Sequence, residues 1–382
     1  MIPYARPKIF KKDIAKVNTV LNSQFLTTGP EIPKFENKLK KKLNSKYALT
    51  VNSATSALHL CCLAMGLSKN DYLWTSSITF VASANCGIYC GAKIDLIDID
   101  DETLNISIDK LEEKLIIAKK NNKLPKIIIP VHLGGNPCDM KSLKRLSKVY
   151  KFKIIEDASH AIGATYNKFL IGSCKYSDAC VFSFHPVKII TSGEGGAMLT
   201  NDKKLALKFS SLRNHGIVRK NLGKKSEYDW YYEQKNLGFN YRLNDIEAAL
   251  GNSQLNKLNK FILRRNNLAK YYLKNLNNQY IKCQQIDLKS VSSYHLFIIR
   301  TKPNLRRLIY ENLKKNKIIT SFHYIPIYRH PFYKQFKYNK KNFLASEKYY
   351  KEGLSLPMYF GLSNTIQNKI IRVINDTIKK NT

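Results

Sequence analysis

Between residues 47 and 200, short runs of β-branched and apolar residues alternate with stretches of helical periodicity. The runs YALTVNS, DYLWTSS, KIDLIDID, KIIIPVHL, FKIIEDAS, ACVFSFH and GAMLTND read as strands. Helical patterns lie between them, as in ATSALHLCCLAMGL, SIDKLEEKLIIAKKNN and DMKSLKRLSKVYK. Alternation of this kind predicts an α/β fold, with a mainly parallel sheet wrapped by helices. In such sheets ligands lie beyond the carboxyl ends of the strands. The loops beginning near Ser53, Ser76, His132, Asp157 and His185 are therefore where chemistry is expected.

After Asp245 the pattern changes. IEAALGNSQLNKLNKFILRRNNLAKYYLKNL reads as one long helix, followed by a strand at YHLFIIRT and a helix at NLRRLIYENLKKN. The economical division is a large domain over residues 1–255 and a smaller α+β domain over 256–382. No apolar run is long enough to cross a bilayer, and MIPYARPKIFKK lacks the apolar core of a signal peptide. The expected location is the cytoplasm.

A formal charge of +36 raises the question of nucleic acid. Of the 64 basic residues 52 are Lys and 12 are Arg, spread along nearly every predicted helix. A phosphate-reading surface favours Arg and interleaves basic residues with aromatics. The expectation is thus no nucleic-acid partner. A basic binding module remains the alternative from another functional class, and salt-dependent retention on DNA would mark it. Eight cysteines are scattered without a CxxC pair or His at zinc-ligand spacing, so they are expected to be reduced, mostly buried and free of metal.

Candidate chemistry gathers in three loops. Lys188, in FSFHPVKIITSGEGG, follows a strand and precedes a Gly-rich turn. An amine there, partly desolvated, is suited to forming a Schiff base. Asp157 ends FKIIED, where its carboxylate reaches the ligand edge of the sheet, and His160 follows three residues on. Alone, the first would read as a helix cap and the second as a core histidine. Ser53, Ala54, Thr55 and Ser56 open a helix, so their N–H groups and hydroxyls form an anion site sized for phosphate. Ser183 adds a hydroxyl at the same edge, and Phe80 an aromatic ring.

In order, NSATSALH, TFVASAN, PVHLGGNPCDM, EDASHAIGATY, FSFHPVKIITSGEGGAM, RNHGI, GFNYRLNDIEAALGNSQL, SYHLF, HYIP and LSLPMY run from about Pro3 to Tyr359. The series resembles the DegT/StrS-type nucleotide-sugar aminotransferases, which have the aspartate-aminotransferase (type I) fold and use pyridoxal 5′-phosphate (PLP). The resemblance implies that Lys188 carries the cofactor, Asp157 faces its ring nitrogen and His160 its phenolic oxygen. It implies stacking by Phe80 and phosphate contacts from Ala54, Thr55 and Ser183. Asn240 matches a residue reaching the phosphate of a neighbouring subunit, so a homodimer with shared sites is implied. Substrate contacts map onto Tyr4, Leu26, Thr27, Thr28, Gly29, His185, His323, Tyr324, Ile325, Pro326, Ile327 and Tyr328. Arg219 and Arg329 are candidates for gripping the donor carboxylate. EDASHA, SFHPVK, TFVASAN and HYIP look most like the pseudaminic-acid branch, which moves an amino group from glutamate to C4 of a UDP-linked 4-keto-6-deoxy-N-acetylhexosamine. Relatives acting at C3, or on dTDP-sugars, are the alternative. Ser77 stands where relatives often have Pro, which is expected to loosen the loop that places Phe80. Ser192, where a second Thr is frequent, keeps a hydroxyl.

Overall fold

The computed structural model describes residues 1–218 and 230–382. All seven expected strands form, and they make one sheet: β1 (Tyr47–Val51), β2 (Tyr72–Ser76), β3 (Lys93–Ile97), β4 (Ile127–Ile129), β5 (Lys153–Asp157), β6 (Ala179–Ser183) and β7 (Gly196–Thr200). Their spatial order is β1-β7-β6-β5-β4-β2-β3. Only β7 runs against its neighbours, β1 and β6, and every other pair is parallel. β6 and β7 are buried at every residue because helices cover both faces. One face packs against the helices Glu31–Leu43, Ile108–Lys120 and Met140–Tyr150 through residues such as Phe35, Leu111 and Leu146. The other packs against the helices Ala54–Ala64, Ala82–Tyr89 and Lys203–Leu212 through Leu58, Cys62 and Phe209.

Local chemistry sets the helix ends. Asp139 caps Met140–Tyr150 by accepting from the Ser142 N–H at 3.1 Å, and Lys151 ends it in the left-handed conformation. The long helix expected after Asp245 is in fact two, Asp245–Leu255 and Leu258–Asn275. At the break the Lys257 N–H bonds to the Gln254 carbonyl, three residues back. The Lys257 ammonium takes up the freed Ser253 carbonyl at 2.9 Å and pairs with buried Asp13 at 2.7 Å. Leu255 and Leu258 both stay in the core across the bend. A run of helical periodicity does not report such a bend, because both halves keep their apolar faces inward.

Toward the C-terminus, β8 (Lys282–Cys283), β9 (Phe297–Arg300) and β10 (Gly353–Leu356) form an antiparallel sheet. The helices Pro303–Lys315 and Asn364–Lys379 cover it with a separate core that includes Leu268, Tyr272, Ile309 and Ile374. Residues Ile327, Tyr328, Tyr333 and Phe343 instead reach back into the core beneath the large sheet. Six of the eight cysteines are buried and all are free thiols.

Candidate active site

The carboxyl ends of β1, β2, β4, β5 and β6 open into one cavity of about 350 Å³. It is lined by Ser53, Ala54, Thr55, Phe80, Asp157, His160, Ser183, His185 and Lys188, together with Tyr4, His295, His323 and Tyr324.

Asp157, the last residue of β5, is buried. Its Oδ2 accepts from the Ser83 hydroxyl at 2.6 Å and its Oδ1 from the Ser159 N–H at 3.1 Å. Ser83 spends its proton on Asp157, so the Thr79 hydroxyl, 2.8 Å away, donates to Ser83. The carboxylate is held in place and keeps lone pairs for a further donor.

Lys188 stands in a loop that closes on itself. The Phe184 carbonyl accepts from the Ser192 N–H and the Thr191 hydroxyl, and the Phe184 N–H donates to Gly195. Burial pulls the Lys188 amine down to about 8, against the opposing pull of Asp157. A useful fraction of the amine is therefore neutral near pH 7.

The helix Ala54–Ala64 starts at the cavity, with Ser53 as its cap accepting from the Ser56 N–H at 3.1 Å. The N–H groups of Ala54 and Thr55 have no carbonyl within the helix to bond, which leaves them for an anion. The first residue of β7 is Gly196, and a Cβ there would lie 2.6 Å from the Ala54 nitrogen. Glycine alone lets the strand approach this turn so closely.

His160 is buried, and its Nδ1 accepts from the Gly134 N–H at 3.3 Å. Its proton therefore sits on Nε2, which donates to the Tyr324 hydroxyl at 3.0 Å. Burial, reinforced by the nearby Lys188 and His323 charges, holds its pKa well below that of a free histidine. His160 is thus a neutral, single-proton donor near neutral pH. Phe80 is 56% exposed at the mouth, its ring 5.8 Å from that of Tyr324. His323 is anchored by Ser355 at 2.9 Å and faces the Tyr4 ring at 5.6 Å.

Several expected contacts lie elsewhere. Ile327 and Tyr328 are core residues, and the Tyr328 hydroxyl donates to Glu347 at 2.9 Å. Ile325 and Pro326 do not line the cavity either. Arg329 is held by both carboxylate oxygens of Glu347, so it is not free to grip a substrate; Arg219 lies outside the described residues. Leu26, Thr27, Thr28, Gly29 and Asn240 do not line the cavity. Thr28 and Gly29 share a separate groove with Asn214, which Asn240 bridges, while Thr27 bridges Asn244 and the Gly29 N–H bonds Asp245.

The Phe80 loop is not loosened by Ser77. That residue is buried, its N–H bonds the Ile97 carbonyl at 2.8 Å, and its hydroxyl bonds that of Ser346 at 2.6 Å. Sequence reasoning also missed Thr79, Ser83, Ser159 and His295. The first two lie within TFVASAN, where Thr79, just before the helix Ala82–Tyr89, reaches Ser83 in its first turn at 2.8 Å.

An amine, a fixed carboxylate, a neutral imidazole and a helix start converge here. These residues fit a phosphate-bearing pyridine aldehyde, whose phosphate, ring nitrogen and carbonyl would each meet a matched group. Among the described residues no group of three or more His, Cys, Asp or Glu side chains is arranged to hold a metal.

Comparison with known proteins agrees with this geometry. The model of the DegT/DnrJ/EryC1/StrS aminotransferase family matches residues 7–375. A UDP-4-amino-4,6-dideoxy-N-acetyl-beta-L-altrosamine transaminase of Campylobacter jejuni is 37% identical over 363 residues, 94% of this chain and 93% of that protein. The GDP-perosamine synthase of Escherichia coli O157:H7 is 33% identical over 98% of each chain. Among solved structures, Helicobacter pylori PseC, an aminotransferase involved in the biosynthesis of pseudoaminic acid, superposes with a TM-score of 0.89 at 33% identity over 99% of each chain. Spr1654 of Streptococcus pneumoniae in its PMP form gives a TM-score of 0.91 at 27% identity over the whole of both chains. The chain belongs to the DegT/DnrJ/EryC1/StrS aminotransferase family, as a PLP-dependent sugar transaminase.

Proposed function

We propose that this enzyme moves an amino group from glutamate to C4 of a UDP-linked 4-keto-6-deoxy-N-acetylhexosamine. The observation that carries the catalytic part is the convergence of Lys188, Asp157, His160 and the Ser53–Ser56 helix start on one cavity. The sugar is supported by the similarity to the altrosamine transaminases and to PseC.

Bound PLP supplies an electron sink for the carbanion through which amino transfer passes. Lys188 anchors the cofactor through its Nζ. With the amino donor bound in its place, the freed Lys188 Nζ would move the donor's Cα proton, acting first as base and then as acid. Asp157, pinned by Ser83 and Ser159, holds a proton on the ring nitrogen. His160 would turn its one Nε2 proton from the Tyr324 hydroxyl to the phenolic oxygen, and Ala54, Thr55 and Ser183 would bind the phosphate. Phe80 covers the ring and keeps water from it. For the sugar, Tyr4, His185, His323 and Tyr324 would form the surrounding wall, and Lys188 Nζ would again carry the proton.

The functional unit in this reading is a cytoplasmic homodimer. Leu26–Gly29 and Asn240, matched by resemblance to substrate and phosphate contacts, stay outside the cavity that holds Lys188, which supports a role at a partner's site.

The test supplies purified enzyme with glutamate and a panel of UDP-, GDP- and dTDP-linked 3- and 4-keto sugars, and identifies each aminated product. Amination at C4 of the UDP-linked N-acetyl sugar is expected. Preference for a GDP-linked sugar would move the assignment toward the perosamine relatives, and amination at C3 would overturn the regiochemistry.

A further inference from the structure

Arg265 is 3% exposed on the helix Leu258–Asn275, and no carboxylate among the described residues pairs with it. Burying a cation without an acid partner is costly, so its hydrogen bonds deserve an explanation. Its Nη1 donates to three carbonyls: Tyr294 at 3.1 Å, His295 at 3.1 Å and Met358 at 3.0 Å. Its Nε is buried without a partner. Burial pulls the guanidinium down to about 10, still charged at neutral pH.

Of the three residues His295 lines the cavity, Tyr294 precedes it, and Met358 reaches the cavity through Tyr4. The Met358 N–H donates to the Tyr4 carbonyl at 3.0 Å, which ties Tyr4 to the same clamp. Tyr294 takes a left-handed backbone, which turns His295 so that its ring lies 4.4 Å from that of His160. On either side the segment is stitched to the loop that orients His160. Ser293 donates its N–H to Gly135 and its hydroxyl to the His160 carbonyl, while the Leu296 N–H donates to Gly134. Gly134 in turn donates the N–H that fixes the His160 tautomer.

We propose that Arg265 is a positioning residue for the reaction: its guanidinium draws the Tyr294–His295 and Met358 segments together and so fixes His160, His295 and Tyr4 around the cofactor. A lysine cannot do this, because its chain ends one bond short of the Nη1 position where all three carbonyls meet, and its ammonium leaves the rest of the guanidinium's space unfilled. The neutral donor state of His160 depends on this assembly. His295 faces His160, Lys188, Arg265 and His323, and burial, with the Lys188 and Arg265 cations nearby, holds it uncharged beside His160.

The inference rests on the proposed cofactor chemistry, so its test includes a readout that needs no cofactor. Arg265→Met and Arg265→Lys are compared with Arg264→Met. Arg264 is the neighbouring arginine, which bonds the Leu362 carbonyl but has no link to the cavity. In cofactor-free protein, the ring nitrogens of His160 should give one protonated and one bare signal, and both Arg265 variants should average them. In the loaded enzyme kcat should fall about 10- to 100-fold, the range expected when a supporting group or about 1 Å of alignment is lost. Arg264→Met should leave both readouts at wild-type values. Arg265 variants with a lowered Tm but unchanged His160 signals and kcat would make Arg265 a structural residue only and overturn the proposal. If Arg265→Met does not fold, Arg265→Lys decides by the same readouts. A wild-type protein that fails to bind PLP defeats the proposed function, and the ring signals still judge the clamp.

Discussion

Glu156 and Asp157 are neighbours on β5, both buried, yet they have opposite fates. A strand turns successive side chains to opposite faces, so only one of them can look into the cavity. Glu156 looks into the protein. Its oxygens accept from the Ser177 hydroxyl at 2.5 Å and from His132 Nε2 at 2.9 Å, while His132 Nδ1 accepts from the Cys138 N–H. Both donors come from buried residues, and Glu156 does not line the cavity. Asp157 is held just as firmly, but by donors on one side only, and its other side faces Lys188 and open space. A structural carboxylate and a functional one thus differ less in burial, or in the number of donors that hold them, than in whether one side opens onto a cavity.

The largest effect should come from Lys188, the only group in the cavity able to anchor the cofactor covalently. Lys188→Ala should lower kcat by about 10⁴-fold, the upper end of what a positioned acid–base group supplies. It should abolish the glutamate-induced change in cofactor absorbance and leave circular dichroism unchanged. The two carboxylates come next, and they should separate cleanly. Asp157→Asn should lower kcat on the order of 10²-fold with little change in Tm, as expected when an electrostatic partner of the transition state is removed. Glu156→Gln should do the reverse, lowering stability by about 1–3 kcal/mol while preserving kcat. A Glu156 variant that loses activity at full stability would break the distinction.

A pH experiment sharpens it further. Burial lowers Lys188 from 10.5 to about 8 in the folded chain. Below about pH 8 the amine carries its proton whether the chain is folded or not. Between about 8 and 10.5 the unfolded chain keeps a proton that the folded chain has released. By linkage, cofactor-free protein gains stability as pH rises across that window. Denaturant titrations at pH 7.5 and 9.5 should show the gain in wild type and lose it in Lys188→Met. The rate of PLP capture should rise over the same range as the amine becomes neutral.

Much of this contrast was legible in the chain. FKIIED announces a strand ending in a carboxylate at the ligand edge, and ACVFSF followed by a Gly-rich turn announces the Lys188 loop, because strand periodicity and turn chemistry are local. What could not be read is set by packing between distant segments. Ile327 and Tyr328 sit beside the cavity residues His323 and Tyr324 in sequence, but a short 3₁₀ turn at Ile327–Arg329 carries them into the core. The break at Asn256 depends on Asp13, more than 200 residues away, receiving Lys257. Ser77 acquires its partner from Ser346, on a helix that no reading of its own loop predicts. His295 was visible only as part of SYHLF, since its role depends on Arg265 and His160.

The smallest effect concerns the hydroxyls behind Asp157. Ser83 gives Asp157 a 2.6 Å bond and receives one from Thr79, so the pair acts as a short relay that aims the carboxylate. Ser83→Ala removes one of two donors. The Ser159 N–H remains, and the carboxylate keeps its charge and burial. A neutral hydroxyl bonding a charged group contributes about 1.5–3 kcal/mol. Part of that will be recovered by water or by the cofactor's own N–H, so kcat should drop by about 10-fold rather than 100-fold. Thr79→Val should do less still, because it leaves the Ser83 bond to Asp157 intact. The order Asp157→Asn, Ser83→Ala, Thr79→Val is the sharp form of the contrast, for the same conservative changes around Glu156, such as Ser177→Ala, should move Tm and leave that kinetic ladder untouched.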